Sequence, residues 1–278
     1  MKIFMLAFCV GFVFFFSAAA VFVWRYSAAA EPPSAEESSA PEVFAKNAAL
    51  LLIFEEGGAA GPFTLVCFDP QNGRIPVLTF PAEAVLESTP GAPAAAEAFA
   101  SLSHDEFAAA IEKELEIGIS GWFIWNRGTC EAVMAKAGSF DYILPESLHY
   151  SSGGRYIDLA AGVQSITGKK LYDLVTFPDF DPAARCDVTS RLVSLFFGRR
   201  LRRFLPENSV LSAAVYSSTE NSADAFFRAE LCSTIKALCA GKNAVASHVT
   251  CDLDANEDGR LYFSESTRER VKKYFPKE

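Results

Sequence analysis

The sequence predicts an α/β fold, with a mixed central sheet flanked by helices and one transmembrane helix before it. Three observations lead to this prediction. Apolar runs of strand length, such as Ala48–Phe54 and Gly121–Trp125, alternate with segments whose apolar residues recur at helical spacing. A hairpin pattern spans Phe63–Glu83, where the Asn72-Gly73 pair supplies the turn. The chain also opens on a long apolar stretch. Strands that alternate with helices are typical of helices packed on a sheet.

The apolar stretch at the start predicts a membrane anchor over residues 1–26. Ile3–Trp24 carries no charged residue and is long enough to cross a bilayer core, which needs about 20 residues. Trp24 and Tyr26 suit the membrane interface. The alternative is a cleaved signal peptide with Ser27–Ala30 as its small-residue site. The apolar core is longer than the roughly 15 residues of a signal peptide, which favours an uncleaved anchor.

Composition divides the rest of the chain into a linker and one domain. Residues 27–42 are rich in Ala, Pro, Ser and Glu and show no apolar period, which is typical of a flexible tether. Residues 43–278 are long enough for one domain with a substantial core. The net charge of −9 argues against a nucleic-acid surface. The cysteines beyond the anchor sit mostly in apolar runs and are interpreted as buried thiols, although an external domain would also permit disulfides.

The elements of the domain follow from local patterns. Ser103 and Glu106 form a capping box that begins a helix with apolar residues at helical spacing. Asp158–Ile166 is interpreted as a turn into a short helix, and Ser88–Ala96 as irregular. Further strands are predicted at Phe140–Leu144, Ala244–Asp252 and Arg260–Phe263, and helices at Ser103–Glu116, Gly128–Gly138, Asp187–Phe204, Ser222–Ala240 and from Ser264 through Phe275.

Several segments, taken in order, resemble the LytR-CpsA-Psr family over Ala48–Phe275. They are the Phe63–Glu83 hairpin and the stretches LLLIF, EKELEIGISGWFIWN, EAVMAKAGSFDYILPESLHY, IDLAAGVQSITGKKLYDLVTF, RLVSLFFGRRL and RLYFSESTRERVKKYF. Members of the family are membrane-anchored enzymes that transfer glycopolymers from a polyprenyl pyrophosphate lipid onto the cell wall. The resemblance therefore implies a single-pass cell-membrane protein with the bulk of its chain extracytoplasmic.

The same resemblance implies that much of the family's active site is missing. The family has arginines at the positions of four residues that carry no charge here, and it has an acidic residue near Gly61–Pro62 where this chain has none. The four uncharged residues are Ala82, Thr176, Pro178 and Val188.

The resemblance also identifies candidate site residues. Arginine forks bind phosphate oxygens and stabilise transferring charge. Arg191 keeps a family arginine, Arg185 lies three residues before another, and Glu83 replaces an aspartate. These three are the predicted catalytic residues. Arg127, which follows a strand end, joins Arg191 as a predicted substrate ligand, and Arg155 is a second loop arginine that could refill a vacant position.

Two metal sites are also predicted. Glu83, Asp181 and Asp187 are candidate Mg²⁺ ligands, since carboxylates hold the magnesium that bridges phosphate oxygens. A second set fits the spacing of a calcium loop, with Gly259 at the sharp turn. The alternative for that stretch is an ordinary hairpin turn, because Asn, Asp and Gly are common in turns. The calcium ligands would be Asp254, Asn256, Asp258 and Glu265.

These residues lead to three functional hypotheses. Removing one charged contact to a transferring group costs roughly 10²–10³ in rate, so four lost arginines favour a catalytically degenerate, lipid-binding or regulatory member of cell-wall glycopolymer assembly. Its partners would be the membrane, a polyprenyl-linked lipid or cell-wall polymer, and an active relative or other envelope-assembly proteins. The first alternative is a divergent phosphotransferase that uses Glu83, Asp181, Arg185 and Arg191. The second is a calcium-stabilised surface scaffold.

Overall fold

The computed structural model describes residues 46–201, 215–217, 219–240 and 244–275. The predicted anchor at residues 1–26 and the predicted linker at 27–42 lie outside this part of the chain. Within it, no helix combines the length and the apolar character that a bilayer crossing needs. The bounds of the strands are β1 Ala48–Glu56, β2 Ala59–Phe68, β3 Arg74–Phe80, β4 Gly121–Trp125, β5 Phe140–Leu144, β6 Leu148–Ser152, β7 Arg155–Leu159, β8 Gly162–Ile166, β9 Val245–Val249, β10 Leu253–Ala255 and β11 Leu261–Phe263.

A five-stranded mixed sheet forms the centre of the fold, in the order β4-β1-β2-β3-β9. β1–β2 and β2–β3 pair antiparallel, whereas β1–β4 and β3–β9 pair parallel. Three two-stranded ribbons, β5–β8, β6–β7 and β10–β11, complete the strands. The predicted mixed sheet flanked by helices is confirmed. The helices are α1 Ala95–Ser101, α2 His104–Leu115, α3 Arg127–Ala137, α4 Gly168–Val175, α5 Pro182–Arg200, α6 Ala225–Ala240 and α7 Glu265–Tyr274.

Both faces of the central sheet are buried, because successive side chains of its strands point to opposite sides. On β1, Leu50 and Leu52 belong to one apolar cluster and Leu51 and Ile53 to the other. Helices α1, α2 and α7 cover the second cluster, which we call the closed face. Helices α3, α4, α5 and α6 cover the first, which we call the site face.

The predicted hairpin turn is held by one buried carboxylate. Asp69 accepts hydrogen bonds from the main chain and the side chain of Asn72, at 3.0 and 2.8 Å, and from Arg74 Nε at 2.8 Å. Gly73 adopts φ 62°, a conformation that costs glycine little. Burial by itself would raise the pKa of Asp69, but the hydrogen bonds from Asn72 and Arg74 outweigh it and lower the pKa below 3.8.

Four local predictions were wrong. Asp158–Ile166 is not a turn into a helix: it holds the end of β7 and all of β8, because β8 pairs with β5 along its whole length. Ser88–Ala96 is not irregular to its end, since α1 begins at Ala95. The helix predicted from Asp187 begins earlier, because Asp181 caps it and Pro182 fits its first turn. The helix predicted from Ser222 begins at Ala225.

Candidate functional site

Gly61 on β2 and Ala82, just beyond the end of β3, lie against each other. The resemblance implies an acidic residue near the first position and an arginine at the second. Gly61 has φ +123°, and a Cβ added there would come within 2.7 Å of Ala82 Cβ. The backbone of β2 therefore passes directly against the residue that takes the place of a family arginine. Glu83, the next residue, is exposed to solvent. Of Gly61, Ala82 and Glu83, only Glu83 has a charged side chain.

Arg155 contacts Thr176, one of the positions at which the resemblance implies an arginine. Its Nη2 donates to Thr176 Oγ1 at 2.6 Å, and its Nη1 donates to the carboxylate of Glu56. Its Nε is buried without a hydrogen-bond partner. A guanidinium from β7 thus lies against Thr176, although the chain has no arginine at that position.

Arg127, at the start of α3, packs against Tyr172 and Asp173 on α4, and with Lys169 these residues form a charge cluster centred on Asp173. Its Nη2 donates to Asp173 Oδ1 at 2.8 Å, and its guanidinium stacks over the Tyr172 ring at 5.4 Å. The Asp173 carboxylate is 1% exposed and also pairs with Lys169. Burial, together with the negative charge of Glu56, raises the pKa of Tyr172 to about 12. The phenol therefore stays protonated at neutral pH and donates to Glu55 O at 3.1 Å.

One glycine allows this cluster to form. A Cβ at Gly168 would lie 2.4 Å from the carbonyl oxygen of Cys130, so α4 can approach α3 this closely only with glycine at its first position. The close crossing puts Asp173 on α4 within reach of Arg127 on α3.

Arg185, a predicted catalytic residue, binds the main chain in this structure. Its Nη2 donates to the carbonyl oxygens of Phe177, Pro178 and Phe180, at 3.3, 3.4 and 3.1 Å. This guanidinium therefore ties the loop before α5 to the first turns of that helix. Its Nε is buried without a partner.

Arg191 and Asp187 pair with each other on the surface of α5. Arg191 Nε donates to Asp187 Oδ2 at 2.7 Å, and both side chains are about half exposed, at 48% and 49%. This hydrogen bond raises the pKa of the guanidinium. The pair lines an open groove of about 740 Å³ between α5, β5 and β9, which also contains Tyr142 and His248.

A second cavity, of about 560 Å³, lies beside the N-terminus of α5 and is lined by Asp181, Cys186 and Cys251. Asp181 Oδ1 caps α5 by accepting from Ala184 N at 2.7 Å. Burial raises the pKa of both thiols, to about 12 for Cys251. The six cysteines among the described residues are free thiols, three buried and three partly buried, in line with the prediction.

Beneath the sheet, the site face encloses a small apolar cavity of about 30 Å³. Leu50, Phe123 and Trp125 line it from the sheet, and Leu231 and Ile235 line it from α6. A cavity of this size has room for about one water molecule. The indole Nε1 of Trp125 is buried here without a hydrogen-bond partner.

The predicted metal ligands do not converge within the described part of the chain. No three of its His, Cys, Asp or Glu side chains lie close enough together to hold an ion. Asp181 serves as a helix cap and Asp187 pairs with Arg191, so no chemical step is assigned to magnesium. Both metal assignments stay predictions.

The predicted calcium loop lies on a hairpin. Asp254 is on β10, Glu265 begins α7, and Asn256 Oδ1 accepts from the main-chain nitrogens of Asp258 and Arg260 at 3.1 and 2.8 Å. The hairpin alternative of the sequence analysis accounts for this geometry.

The predicted site residues thus lie in separate places. Arg127 belongs to the cluster around Asp173, Arg185 to the loop before α5, and Arg191 to the groove on α5. Sequence reasoning missed Asp173 as the centre of the charge cluster. The sequence could have indicated this cluster, because Asp173 is an acidic residue on the apolar side of a short helix. A carboxylate buried there is costly unless it has a cationic partner.

Known proteins share this fold at low sequence identity. No family model and no curated protein matches the sequence. A protein described as a candidate transcription regulator from Eubacterium siraeum superposes with a TM-score of 0.71 at 12% identity, over 82% of this chain and 90% of its own. TagV of B. subtilis superposes with a TM-score of 0.64 at 15% identity, over 84% and 99%. TagT bound to LI-WTA superposes with a TM-score of 0.60 at 15% identity, over 82% and 89%. TagV and TagT are LytR-CpsA-Psr enzymes, so the described domain has the LytR-CpsA-Psr fold.

Proposed function

We propose that this chain is a membrane-anchored, extracytoplasmic protein of cell-wall glycopolymer assembly that binds a polyprenyl-linked lipid without efficient transfer. One observation carries the proposal: the chain superposes on TagT and TagV over more than four-fifths of its length, while the positions at which the resemblance implies arginines hold Ala82, Thr176, Pro178 and Val188.

The apolar layer of the site face supports the lipid part of the proposal. Its cavity lies between the sheet and α6 and is lined entirely by apolar and aromatic side chains. TagT has been observed with LI-WTA, a wall teichoic acid precursor, bound to the same fold. A polyprenyl chain would need this layer to open, because the closed cavity is far smaller than a lipid.

The partners of the remaining arginines support the loss of transfer. Arg185 binds three carbonyl oxygens and Arg191 binds Asp187. A guanidinium that already binds protein acceptors has fewer of its five N–H groups left for a phosphate, and its orientation is set by the protein. The bound lipid would therefore be held mainly by apolar contact.

The test compares two lipids that share a chain and differ in the head group. The full chain in detergent micelles is titrated with geranylgeranyl pyrophosphate and with geranylgeraniol, and binding is followed by tryptophan fluorescence because Trp125 lines the cavity. We expect both to bind, with dissociation constants within about ten-fold of each other, since one lost head-group contact is worth about 1.4 kcal/mol. Absence of binding by both lipids would contradict the proposal. Leu231→Phe, which fills the cavity without adding a tryptophan to the readout, serves as the matched variant and should weaken both equally.

One observation favours a divergent phosphotransferase as the second candidate. The Arg155 guanidinium on β7 contacts Thr176, where the resemblance places an arginine. Arg127 and Lys169 add two cationic groups that pair with Asp173, on α4, the helix whose C-terminal cap is Thr176. Under this alternative, Arg155→Met weakens the pyrophosphate at least 30-fold and leaves the alcohol unchanged. Equal small effects on both lipids would exclude it.

A further inference from the structure

A groove on α5 runs beside an unpaired strand edge. It has a volume of about 740 Å³ and is lined by one stripe of α5 and by residues of β5 and β9. The stripe extends from Asp187 to Arg199, about 18 Å along the helix axis. An extended chain of five or six residues covers the same length.

β9 is the last strand of the central sheet, and its outer edge has no strand partner among the described residues. Val245 N donates to the main-chain oxygen of Gly73, the residue before β3, at 3.0 Å. Because main-chain groups alternate in direction along a strand, those of Ser247 and Val249 also face β3, and those of Ala246 and His248 face outward. Ala246 and His248 both line the groove.

A buried hydroxyl in the groove lacks a partner. Ser194 is 7% exposed, its Oγ is buried, and it makes no hydrogen bond in the described part of the chain. A buried hydroxyl without a hydrogen-bond partner is destabilising and is rare in folded proteins. A ligand lying in the groove could satisfy it.

The rest of the lining specifies the chemistry of the ligand. Val188 and Leu195 on α5 and Ile143 on β5 are apolar, and Ile143 is 71% exposed. At one end, Arg199 contacts Asp141 through its main-chain oxygen at 3.2 Å, and among the described residues it makes no ion pair. The lining also holds Asp141, and Asp187 in its pair with Arg191. The groove therefore combines outward-facing main-chain groups, apolar contacts and one guanidinium, that of Arg199, which makes no ion pair among the described residues.

We propose that this groove binds an extended peptide segment of a partner protein, which adds to β9 as a sixth strand and places an acidic side chain near Arg199. Strand addition explains the features jointly. The peptide main chain pairs with Ala246 and His248, alternate apolar side chains fill the groove over α5, and the carboxylate meets the guanidinium. The proposal does not depend on lipid binding, because the groove lies outside the apolar cavity of the site face.

The first test uses a labelled hexapeptide, Glu-Thr-Val-Thr-Val-Thr, in which the Glu and Val side chains share one face of the strand, added to the full chain and followed by fluorescence anisotropy. We expect saturable binding, and a Lys-first peptide that binds about three-fold to five-fold more weakly. Arg199→Glu should reverse this preference. Absence of saturable binding up to about 5 mM, or equal binding of both peptides to the native chain, would overturn the proposal. Binding of a soluble glycan chain in place of either peptide would also overturn it.

The second test asks whether the contact is made through the main chain. Two versions of the hexapeptide carry N-methyl groups on alternate amides, one set on each side of the strand. Strand addition requires one version to lose at least ten-fold in affinity while the other binds as before. Equal loss in both versions, or loss in neither, would overturn strand pairing. Hydrogen exchange at Ala246 and His248 should slow on binding, and exchange at Ser247 should stay unchanged.

Ser194→Ala completes the design, since it removes the unmet hydroxyl without removing a contact of the folded chain. We expect this variant to bind the peptide about three-fold more weakly and to melt at the same temperature or slightly higher. Unchanged affinity would overturn the assignment of Ser194 to the groove's ligand.

Discussion

The two faces of the central sheet bury similar apolar side chains, yet their polar groups differ sharply. The closed face is built around a cluster of phenylalanine rings, in which Phe63 contacts Phe80 and Phe107 at centroid distances of 5.4 and 5.0 Å. Helix α2 begins with a capping box, and at the start of α1 the main-chain nitrogen of Ala94 donates to Glu97 Oε2 at 3.1 Å. The site face carries the candidate functional residues and an apolar cavity.

Buried polar atoms without partners concentrate on the site face. Native proteins satisfy nearly all such atoms, so a cluster of exceptions marks a region that is not optimised for stability alone. We therefore expect the closed face to contribute mainly to stability, and we assign the proposed binding to the site face. On or beside the site face the unpartnered atoms are Trp125 Nε1, Arg155 Nε, Arg185 Nε, Thr189 Oγ1, Ser194 Oγ and Arg200 Nε.

The largest expected effect compares one phenylalanine from each face. Phe63→Ala removes a fully buried ring from the closed face and should lower the free energy of unfolding by about 4 kcal/mol. Phe227→Ala, on the site face, should cost less, about 3 kcal/mol, because Phe227 is 7% exposed. Urea unfolding measures both, and a larger loss for Phe227→Ala would reverse the assignment of stability to the closed face.

The next effect concerns the turn of the β2–β3 hairpin, whose strands place side chains on both faces of the sheet. Asp69→Asn should lower the free energy of unfolding at pH 7 by about 2 kcal/mol, since it removes a buried carboxylate that accepts three hydrogen bonds. The folded state lowers the pKa of Asp69, so the native chain has this stabilisation above pH 3.8 and loses it as pH falls through the folded pKa. In urea titrations, the gap between the two proteins should therefore be the same at pH 7 and pH 5 and should shrink at pH 3. A gap independent of pH would mean that the carboxylate charge contributes nothing.

A smaller effect is expected at the start of α2 on the closed face. Ser103 Oγ accepts from Glu106 N at 3.3 Å, and Glu106 accepts in return from Ser103 N at 2.9 Å. Ser103→Ala should lower the thermal midpoint by an amount equivalent to about 1 kcal/mol, and Ser103→Asp, which also caps, should restore it. Equal losses in both variants would show that the cap is not the cause.

The smallest effect is expected for the exposed pair on the site face. Arg191→Ala should change the free energy of unfolding by less than about 0.5 kcal/mol, because both Arg191 and Asp187 are half exposed and screened by water. A loss above about 1.5 kcal/mol in urea unfolding would make Arg191 a structural residue and remove it from the candidate ligands.

Local sequence patterns were enough to predict the turn of the β2–β3 hairpin and the start of α2. The hairpin turn at Asn72 and Gly73 and the capping box of Ser103 depend on residues near in sequence, and both are present in the structure. β8 was missed because its sequence, GVQSI, has only weak strand character and takes its conformation from pairing with β5.

The candidate site was harder to predict, because its contacts join distant residues. Arg127 meets Asp173 across 46 positions and Arg155 meets Glu56 across 99. Helix and strand periodicity can place each of these residues on an element. It cannot show which cation meets which carboxylate, since that depends on how α3, α4 and β7 pack.

The central claim is that the site face retains a lipid site without the means of transfer. The most direct test supplies the full chain in vesicles with a polyprenyl-pyrophosphate-linked saccharide and a cell-wall acceptor, with TagT as the positive control. Lipid binding and release of polyprenyl phosphate are measured on the same sample. The account predicts saturable binding and no release above protein-free vesicles. Sustained release that Arg155→Met abolishes would contradict it and identify an active transferase with a relocated arginine.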